Sequence, residues 1–342
     1  MKKILFYASV KDPSLFQTQM FYVNTTNILR QLGFEVKVTN RMKDAWTEDY
    51  DGFFCFFYRK GVVPAYLAKI RGKKVFFTGG LDSLEKTMTT TSDYFRQVVT
   101  FKLCRWIADY CLIESTSDMR HINEICFFKN HKNLYYAPQA IDVAKYDCSL
   151  ADKEELFSTI CWQGTEGNVK RKGVDKALYC FKRLHDDKRF ENYKFIIMGR
   201  KGAGTPFLEK LVDDLGLKES VVLTGEVSEE EKLKVLKRSK FFFQLSNYEG
   251  FGLAALEAIA SKCIPIHSKR GGLADTLADD GVIYDINKFD GTIGSIDSDI
   301  ADRLFSIKDE DVENAYMRIE ETFDEKVRQD NFRKTIGAAM NN

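Results

Sequence analysis

The sequence predicts an α/β protein built from two doubly wound parallel-sheet domains that face each other across a cleft. Short apolar runs recur along the chain and alternate with longer segments of helical periodicity, a pattern typical of βαβ units. The chain has 342 residues, which favours two hydrophobic cores rather than one. The alternation is interrupted once, by a polar stretch near the middle of the chain, where one domain can end and the next begin.

The first series of apolar runs defines the N-terminal domain. A helix is expected at 17–32, because Gly33 follows it as a typical helix terminator. The first turn between strand and helix, 9–13, lacks the Gly-x-Gly-x-x-Gly pattern of dinucleotide-binding domains, which argues against a dehydrogenase. The expected strands are 4–8, 34–38, 53–57, 75–78, 110–114 and 134–136.

The polar stretch 143–157 is interpreted as an interdomain linker. It separates the N-terminal domain, 1–142, from a C-terminal domain, 158–322, and a final helix, 323–342, could return to the N-terminal domain. In the second domain we expect strands at 160–163, 194–198 and 221–223, a polar loop at 164–172 and a helix at 173–184.

Composition limits the classes of protein. The net charge of +1 argues against nucleic-acid binding. Eight cysteines without paired metal spacing are read as reduced thiols in a cytoplasmic protein. The apolar part of the N-terminus is too short for a signal peptide, and no apolar run approaches the ~20 residues of a membrane-spanning helix.

The stretch 241–272 carries the most informative pattern. A strand at 241–245 precedes Glu249-Gly250-Phe251-Gly252, a helix from Leu253 and a second strand at 263–267. The glycines allow the backbone to approach a ligand, and the helix start presents N–H groups that suit a phosphate. Glu249 and Glu257 could contact different parts of one ligand, since a carboxylate suits a vicinal diol. Alternatively, Glu257 is a solvated helix glutamate.

This stretch resembles a known family. Glu249 and Glu257, followed by Ala258, Pro265 and Gly271-Gly272, look like the E-x7-E signature of retaining family 4 glycosyltransferases, the glycosyl transferases group 1 type. The resemblance covers roughly 160–285 well and the N-terminal half only in outline. It implies the GT-B fold, with two Rossmann-like domains, an acceptor in the first and a nucleotide sugar in the second.

The resemblance implies a hexosyltransferase that moves a sugar from a UDP- or GDP-sugar to a hydroxyl acceptor with retention. The acceptor would be a saccharide or a lipid-linked saccharide in cell-envelope polysaccharide or glycolipid synthesis. Neither a metal nor another cofactor is expected, and Asp297-Ser298-Asp299 is interpreted as helix capping. The alternatives are a catalytically inactive accessory subunit with this fold and a sugar-nucleotide epimerase.

The resemblance also assigns roles to residues of the C-terminal domain. Glu249 and the backbone of Gly250, Phe251, Gly252 and Leu253 would hold the sugar and phosphate, and Glu257 the ribose. Lys172 would neutralise the leaving diphosphate. The arginine that the family usually has after a nearby strand is missing, because that region reads Gln163-Gly164-Thr165, so Arg171 would have to compensate.

Three further positions are candidates with open alternatives. Gly199-Arg200 could form a wall of the nucleotide pocket, and Gly225 with Val227 could contact the base through the main chain; each could also be an ordinary turn. Asp82 follows the strand at 75–78, where many relatives have a histidine near the sugar. It could take that catalytic role or be a turn aspartate.

Two stretches, 62–74 and 94–107, mix apolar and basic residues. They could be amphipathic faces that touch an anionic membrane at its inner surface. Each is also what an ordinary helix packed on a sheet looks like. The oligomeric state is not predicted.

Overall fold

The computed structural model describes residues 1–126 and 132–341, and the chain divides into two compact units. Unit 1 comprises residues 1–141 and the chain from Phe323 onward, and unit 2 comprises residues 142–322.

Unit 1 is built on a parallel six-stranded sheet in the order β2-β1-β3-β4-β5-β6. Its strands are β1 (Lys3–Ala8), β2 (Glu35–Thr39), β3 (Gly52–Phe56), β4 (Lys74–Thr78), β5 (Tyr110–Ile113) and β6 (Leu134–Tyr136). Its first helices are α1 (Leu15–Thr18), α2 (Met20–Gln31), α3 (Asp44–Thr47), α4 (Val62–Ile70), α5 (Thr91–Ile107) and α6 (Thr116–Ile125).

Unit 2 has a second parallel six-stranded sheet, in the order β12-β11-β10-β7-β8-β9. Its strands are β7 (Glu154–Ile160), β8 (Lys194–Met198), β9 (Val221–Gly225), β10 (Ser239–Gln244), β11 (Ile264–His267) and β12 (Val282–Ile283). Its helices are α7 (Val143–Tyr146), α8 (Glu166–Lys172), α9 (Val174–His185), α10 (Thr205–Asp214), α11 (Glu229–Arg238), α12 (Leu253–Ala260), α13 (Leu273–Thr276), α14 (Ile300–Ser306) and α15 (Asp309–Phe323).

The chain after α15 belongs to unit 1. It forms α16 (Glu325–Phe332), a π-helical turn (Arg333–Gly337) and α17 (Ala338–Asn341). Both faces of the unit 1 sheet are therefore covered. Phe53 and Phe77 share one core cluster with residues of α4 and α5, while Phe54 shares the other with residues of α2 and α16. Because successive strand side chains point to opposite faces, a strand covered on both sides is apolar throughout.

The strand order of unit 2 places its functional loops. The chain runs outward from β7 through β8 to β9, then returns to β10 and runs outward on the other side through β11 to β12. The loops that follow the neighbouring strands β7 and β10 therefore leave at the point where the order reverses. Ligands of open α/β sheets bind at this point, outside the carboxyl ends of the strands.

Two local predictions for unit 2 are wrong. The strand expected at 160–163 is Glu154–Ile160, because it begins with charged residues and carries buried Ser158 and Thr159, which hide it from an apolar search. The polar loop expected at 164–172 contains α8. Thr165 caps the start of this helix, because its side chain accepts a hydrogen bond from the backbone N–H of Asn168. Residues 143–157 accordingly contain α7 and the first part of β7.

Among the described residues, no helix is long and apolar enough to cross a membrane.

Candidate functional site

The loop after β10 holds a buried carboxylate in a dense set of donors. Glu249 is 8% exposed, and its Oε1 accepts hydrogen bonds from Lys172 Nζ at 2.6 Å, Ser246 Oγ at 2.7 Å and Gln244 Nε2 at 3.0 Å. The structure thus brings together Glu249 and Lys172, two residues that the sequence singled out separately.

These contacts set the charge state of Glu249. Burial by itself would raise the pKa of the carboxyl, but the Lys172 ammonium, the Ser246 hydroxyl and the charge of Arg171 outweigh burial and lower it. Glu249 is therefore ionised at neutral pH, with a cation in direct contact. A carboxylate and an ammonium side by side can bind sugar hydroxyls and phosphate oxygens respectively.

Gly173 explains how Lys172 reaches this loop. It ends α8 with a φ of 68°, and a Cβ at this position would lie 1.9 Å from the carbonyl oxygen of Leu245. Only glycine permits that approach. The backbone holds this contact, because Asn247 donates its N–H to Arg171 O at 2.8 Å.

A second pair of glycine-containing loops holds the start of α12. Gly252, with a φ of 99°, precedes the helix, and a Cβ at Gly271 would lie 2.2 Å from the Glu249 carbonyl oxygen. That carbonyl accepts the N–H of Gly272 at 2.7 Å. The positive end of the α12 dipole therefore lies at a rigid loop beside Glu249. The Phe251 side chain is buried, so only its backbone could meet a ligand.

Glu257 lies in α12 and is 4% exposed, so the alternative of a solvated helix glutamate is wrong. Its Oε1 accepts hydrogen bonds from Lys232 Nζ at 2.9 Å and Tyr146 OH at 3.1 Å. Burial raises the pKa of Glu257, although the Lys232 ammonium opposes that shift. Lys232 also contacts Glu229 at 2.8 Å, so this cation joins two acidic side chains.

The loops after β8 and β9 lie beside the end of β7. A Cβ at Gly199 would lie 2.1 Å from the Cys161 carbonyl oxygen, and Arg200 O accepts the N–H of Gln163 at 2.9 Å. Arg200 is exposed and Val227 is half-buried. Gly225, with a φ of 79°, is buried and accepts the N–H of Gly199 at 2.9 Å.

The region that lacks the expected arginine has a structural role instead. Gln163 is fully buried, and its Oε1 accepts a hydrogen bond from Thr205 Oγ1 at 2.8 Å. Arg171, the expected substitute, donates to Asn168 Oδ1 at 3.1 Å and contributes to lowering the pKa of Glu249. Among the described residues, no cluster of three or more His, Cys, Asp or Glu side chains could hold a metal ion.

Asp82 lies in unit 1, in an exposed 3₁₀ turn after β4. Its neighbours are two buried carboxyls. Burial raises the pKa of Asp118 and of Glu114, and the negative charge of Asp82 adds to both shifts. Arg328 of α16 is buried near Glu114 and opposes that shift. Asp82 is thus one member of an acidic group at the carboxyl ends of β4 and β5.

Sequence reasoning missed four side chains that contact the two glutamates. Gln244 follows the apolar run Phe241-Phe242-Phe243, and a polar residue at the end of a buried strand could have indicated a site residue. Ser246 had no distinguishing pattern. Lys232 reads as a surface lysine spaced to pair with Glu229, and Tyr146 lies in the stretch interpreted as a linker.

Sequence comparison links the chain to glycosyltransferases. Residues 168–316 match the family Glycosyl transferases group 1. A curated relative from Xanthomonas oryzae pv. oryzae (strain PXO99A), GDP-mannose:cellobiosyl-diphosphopolyprenol alpha-mannosyltransferase, is 37% identical over 82 residues, which are 24% of this chain and 22% of that protein. The first three curated relatives are matched over only 21% to 24% of their length.

Structural comparison extends over nearly the whole chain. Anabaena Alr3699/HepE, solved in complex with UDP and glucose, aligns with a TM-score of 0.73 at 15% identity and covers 99% of this chain and 100% of that one. Sucrose-phosphate synthase from Thermosynechococcus elongatus aligns with a TM-score of 0.75 at 14% identity and the same coverage. The chain therefore has the GT-B fold, and residues 168–316 of it match the glycosyl transferases group 1 family.

Proposed function

We propose that this chain transfers a glycosyl group from a nucleoside diphosphate sugar to a hydroxyl acceptor, with retention of anomeric configuration. The observation that carries the proposal is the contact of Glu249 with Lys172 beside the start of α12. An acceptor for sugar hydroxyls, a cation for phosphate and the positive end of a helix dipole thus lie close together at the end of β10. The Xanthomonas relative is named for GDP-mannose and the Anabaena structure holds UDP, so UDP- and GDP-sugars are the first donors to test.

In the proposed reaction, the bond between sugar C1 and the diphosphate oxygen breaks, and a bond from C1 to the acceptor oxygen forms on the same face. The acceptor proton passes to the departing diphosphate oxygen, so no protein base is required. Lys172 stabilises the charge that develops on the diphosphate, and Arg171 on the same helix assists it. No metal is assigned a role.

The remaining residues would position the two substrates. Glu249 and the backbone of Gly250–Leu253 would hold the sugar, and Glu257 would accept hydrogen bonds from the ribose diol while Lys232 keeps it oriented. Gly199, Arg200, Gly225 and Val227 would border the base. Asp82 would contact the acceptor, which we propose to be a saccharide or a lipid-linked saccharide of a cell-envelope glycan.

A donor screen tests this function. UDP-, GDP- and ADP-sugars are titrated into the protein by calorimetry and saturation-transfer NMR, with and without EDTA, and the bound donor is then supplied with saccharide acceptors. We expect one donor class to bind regardless of chelator and to bind less tightly to the Glu257→Gln variant. Binding by none of the donors would contradict the proposal.

A second candidate is an accessory subunit that binds a nucleotide sugar without turnover. The buried Gln163 favours it, because the family usually has a cation in this region to stabilise the leaving group. The same screen separates the two. Donor binding without either transfer to an acceptor or hydrolysis of the donor would favour the accessory role, whereas a transferred sugar detected by mass spectrometry would exclude it.

A further inference from the structure

Exposed large apolar side chains are concentrated on two helices of unit 1. Their exposed fractions run from 43% to 77%, and Trp106 is the most exposed. In the described part of unit 2, the comparable residues are scattered over separate elements: Trp162, Val222, Phe305 and Met317. The concentrated set consists of Val63, Tyr66 and Ile70 on α4, and Phe95, Val99, Leu103 and Trp106 on α5.

The spacing of these residues places them on the outer side of each helix. On α5 they follow one another by four, four and three positions, and on α4 by three and four, so each set forms one stripe. The opposite side of α5 carries Phe101 and Cys104, which are buried in the core. Both sides of α5 are thus apolar, whereas the outer side of an ordinary surface helix is polar.

The two stripes lie next to each other. α4 connects β3 to β4 and α5 connects β4 to β5, so right-handed crossovers put both helices on one side of the sheet. Residues of both helices share one core cluster, and the helices pack against each other. We call this surface the α4–α5 face. Contiguous exposed apolar surface of this kind is typical of an interaction site.

Charge indicates the nature of the partner. The segment from Arg59 to Asp109 contains ten lysines and arginines but only four acidic residues, while the whole chain has a net charge of +1. The rest of the chain is therefore net negative. On α5 itself, Arg96 and Lys102 are exposed beside the apolar stripe. Arg59 and Arg96 both pair with Asp93, and Lys69 pairs with Asp109, yet the segment keeps a large positive excess.

We propose that the α4–α5 face docks on an anionic lipid surface. Phe95, Leu103 and Trp106 would enter the boundary between headgroups and acyl chains, where aromatic side chains are favoured. The basic side chains around them would meet the lipid phosphates, each contributing to the electrostatic attraction. An apolar surface on a partner protein would not require this positive excess. Docking on a lipid surface would bring the proposed transferase close to lipid-linked acceptors. The docking proposal itself depends only on the α4–α5 face and not on the transferase function.

Vesicle binding tests the proposal directly. The full chain is sedimented with phosphatidylcholine vesicles and with phosphatidylcholine–phosphatidylglycerol vesicles, at low and high salt and without donor or acceptor. We expect binding to the anionic vesicles that weakens in salt. The Phe95→Ser/Trp106→Ser variant should bind at least about tenfold more weakly, and the Arg96→Gln/Lys102→Gln variant about tenfold more weakly.

Matched variants and a second measurement keep the outcome clear. Val222→Ser/Met317→Ser removes two exposed apolar side chains of unit 2 and should bind vesicles like the wild type. Circular dichroism and donor binding report whether each variant is folded, so a failure of docking is distinguishable from a failure of the proposed transferase function. No wild-type binding to anionic vesicles overturns the proposal. A wild-type dimer that Phe95→Ser/Trp106→Ser converts to a monomer, without vesicle binding, would assign the face to a second copy instead.

Discussion

The carboxyl ends of the two sheets both carry buried acidic side chains, but the two units surround them differently. In unit 2, one carboxylate oxygen of Glu249 accepts hydrogen bonds from a lysine ammonium, a serine hydroxyl and a glutamine amide. In unit 1, Glu114 accepts hydrogen bonds from the side chains of Thr78 and Gln139. Asp118 accepts one from the backbone N–H of Leu81. The pKa of Glu249 is lowered, whereas the pKa values of Glu114 and Asp118 are raised.

The difference shows what keeps a buried carboxylate ionised. Burial penalises the charged form in every case, so the balance depends on how many donors and cations oppose it. Glu257 is intermediate, because Lys232 and Tyr146 both contact it and burial still raises its pKa. One lysine and one hydroxyl are therefore insufficient to lower the pKa of Glu257. Glu249 of unit 2 therefore loses its proton more readily than an exposed carboxyl does, while Glu114 and Asp118 of unit 1 lose theirs less readily.

The largest effect is expected from removing the buried cation of unit 1. Arg328 is 1% exposed and donates to the carbonyl oxygens of Ala137 and Pro138. Arg328→Leu should lower the free energy of unfolding by about 3 to 5 kcal/mol, because the carbonyl oxygens of Ala137 and Pro138 lose their buried charged donor and Glu114 loses the neighbouring positive charge. Urea unfolding measures this. Arg333→Leu, which removes an exposed arginine paired with Asp330, is the control and should be close to neutral.

The next largest effect concerns the cation of unit 2. Lys172→Met should reduce the rate of sugar transfer about 100- to 1000-fold, because only Arg171 would be left to stabilise the departing diphosphate. Steady-state kinetics on the donor identified by screening measures the loss. Lys170→Met, two residues earlier on α8 and paired with exposed Glu166, should change the rate little. An equal loss in both variants would contradict a specific role for Lys172.

A smaller effect is expected where Glu257 meets the nucleotide. Glu257→Gln should weaken donor binding about 10- to 100-fold, since hydrogen bonds to charged groups contribute about 1.5 to 3 kcal/mol. Lys232→Met should weaken binding in the same direction, because it leaves Glu257 unoriented. Calorimetry measures both. Glu229→Gln removes a contact of Lys232 without touching Glu257 and is the matched control; if it weakened binding as much, the ribose assignment would fail.

The smallest effects are changes of stability with pH, and they should have opposite signs at Asp118 of unit 1 and Glu249 of unit 2. Asp118 has a raised pKa, so its ionisation destabilises the fold as pH rises above its ordinary value of 3.8. Asp118→Asn should therefore stabilise the protein at neutral pH, and the gain should disappear at pH values below 3.8.

Glu249 has a lowered pKa, so it contributes stability above its ordinary value of 4.5 that is lost as pH falls through its folded-state value. Glu249→Gln should therefore destabilise at neutral pH, with a loss that shrinks in acid. Urea midpoints of both variants over a pH series measure the two trends. Trends of the same sign would remove the contrast between Asp118 and Glu249.

Much of the fold could be predicted because its signals are local. Alternating apolar runs and helical segments predicted two parallel sheets, and each has six strands. The strands that were misplaced or shifted are those with polar residues, such as β7 with its buried Ser158 and Thr159. A hydrogen bond satisfies the Thr159 hydroxyl in the fold, since it donates to Phe243 O at 2.8 Å, and no apolar pattern records that contact.

The sequence by itself determined the α/β class, the loop from Glu249 to Gly252 and the candidate residues, because periodicity, glycines and motif spacing are properties of neighbouring positions. Only the tertiary structure decided which side chains meet. Lys172 contacts Glu249 from 77 positions away, and Tyr146 contacts Glu257 from 111. Such contacts follow from the strand order, which returns the chain from β9 to β10 beside β7 and so places distant loops at one end of the sheet.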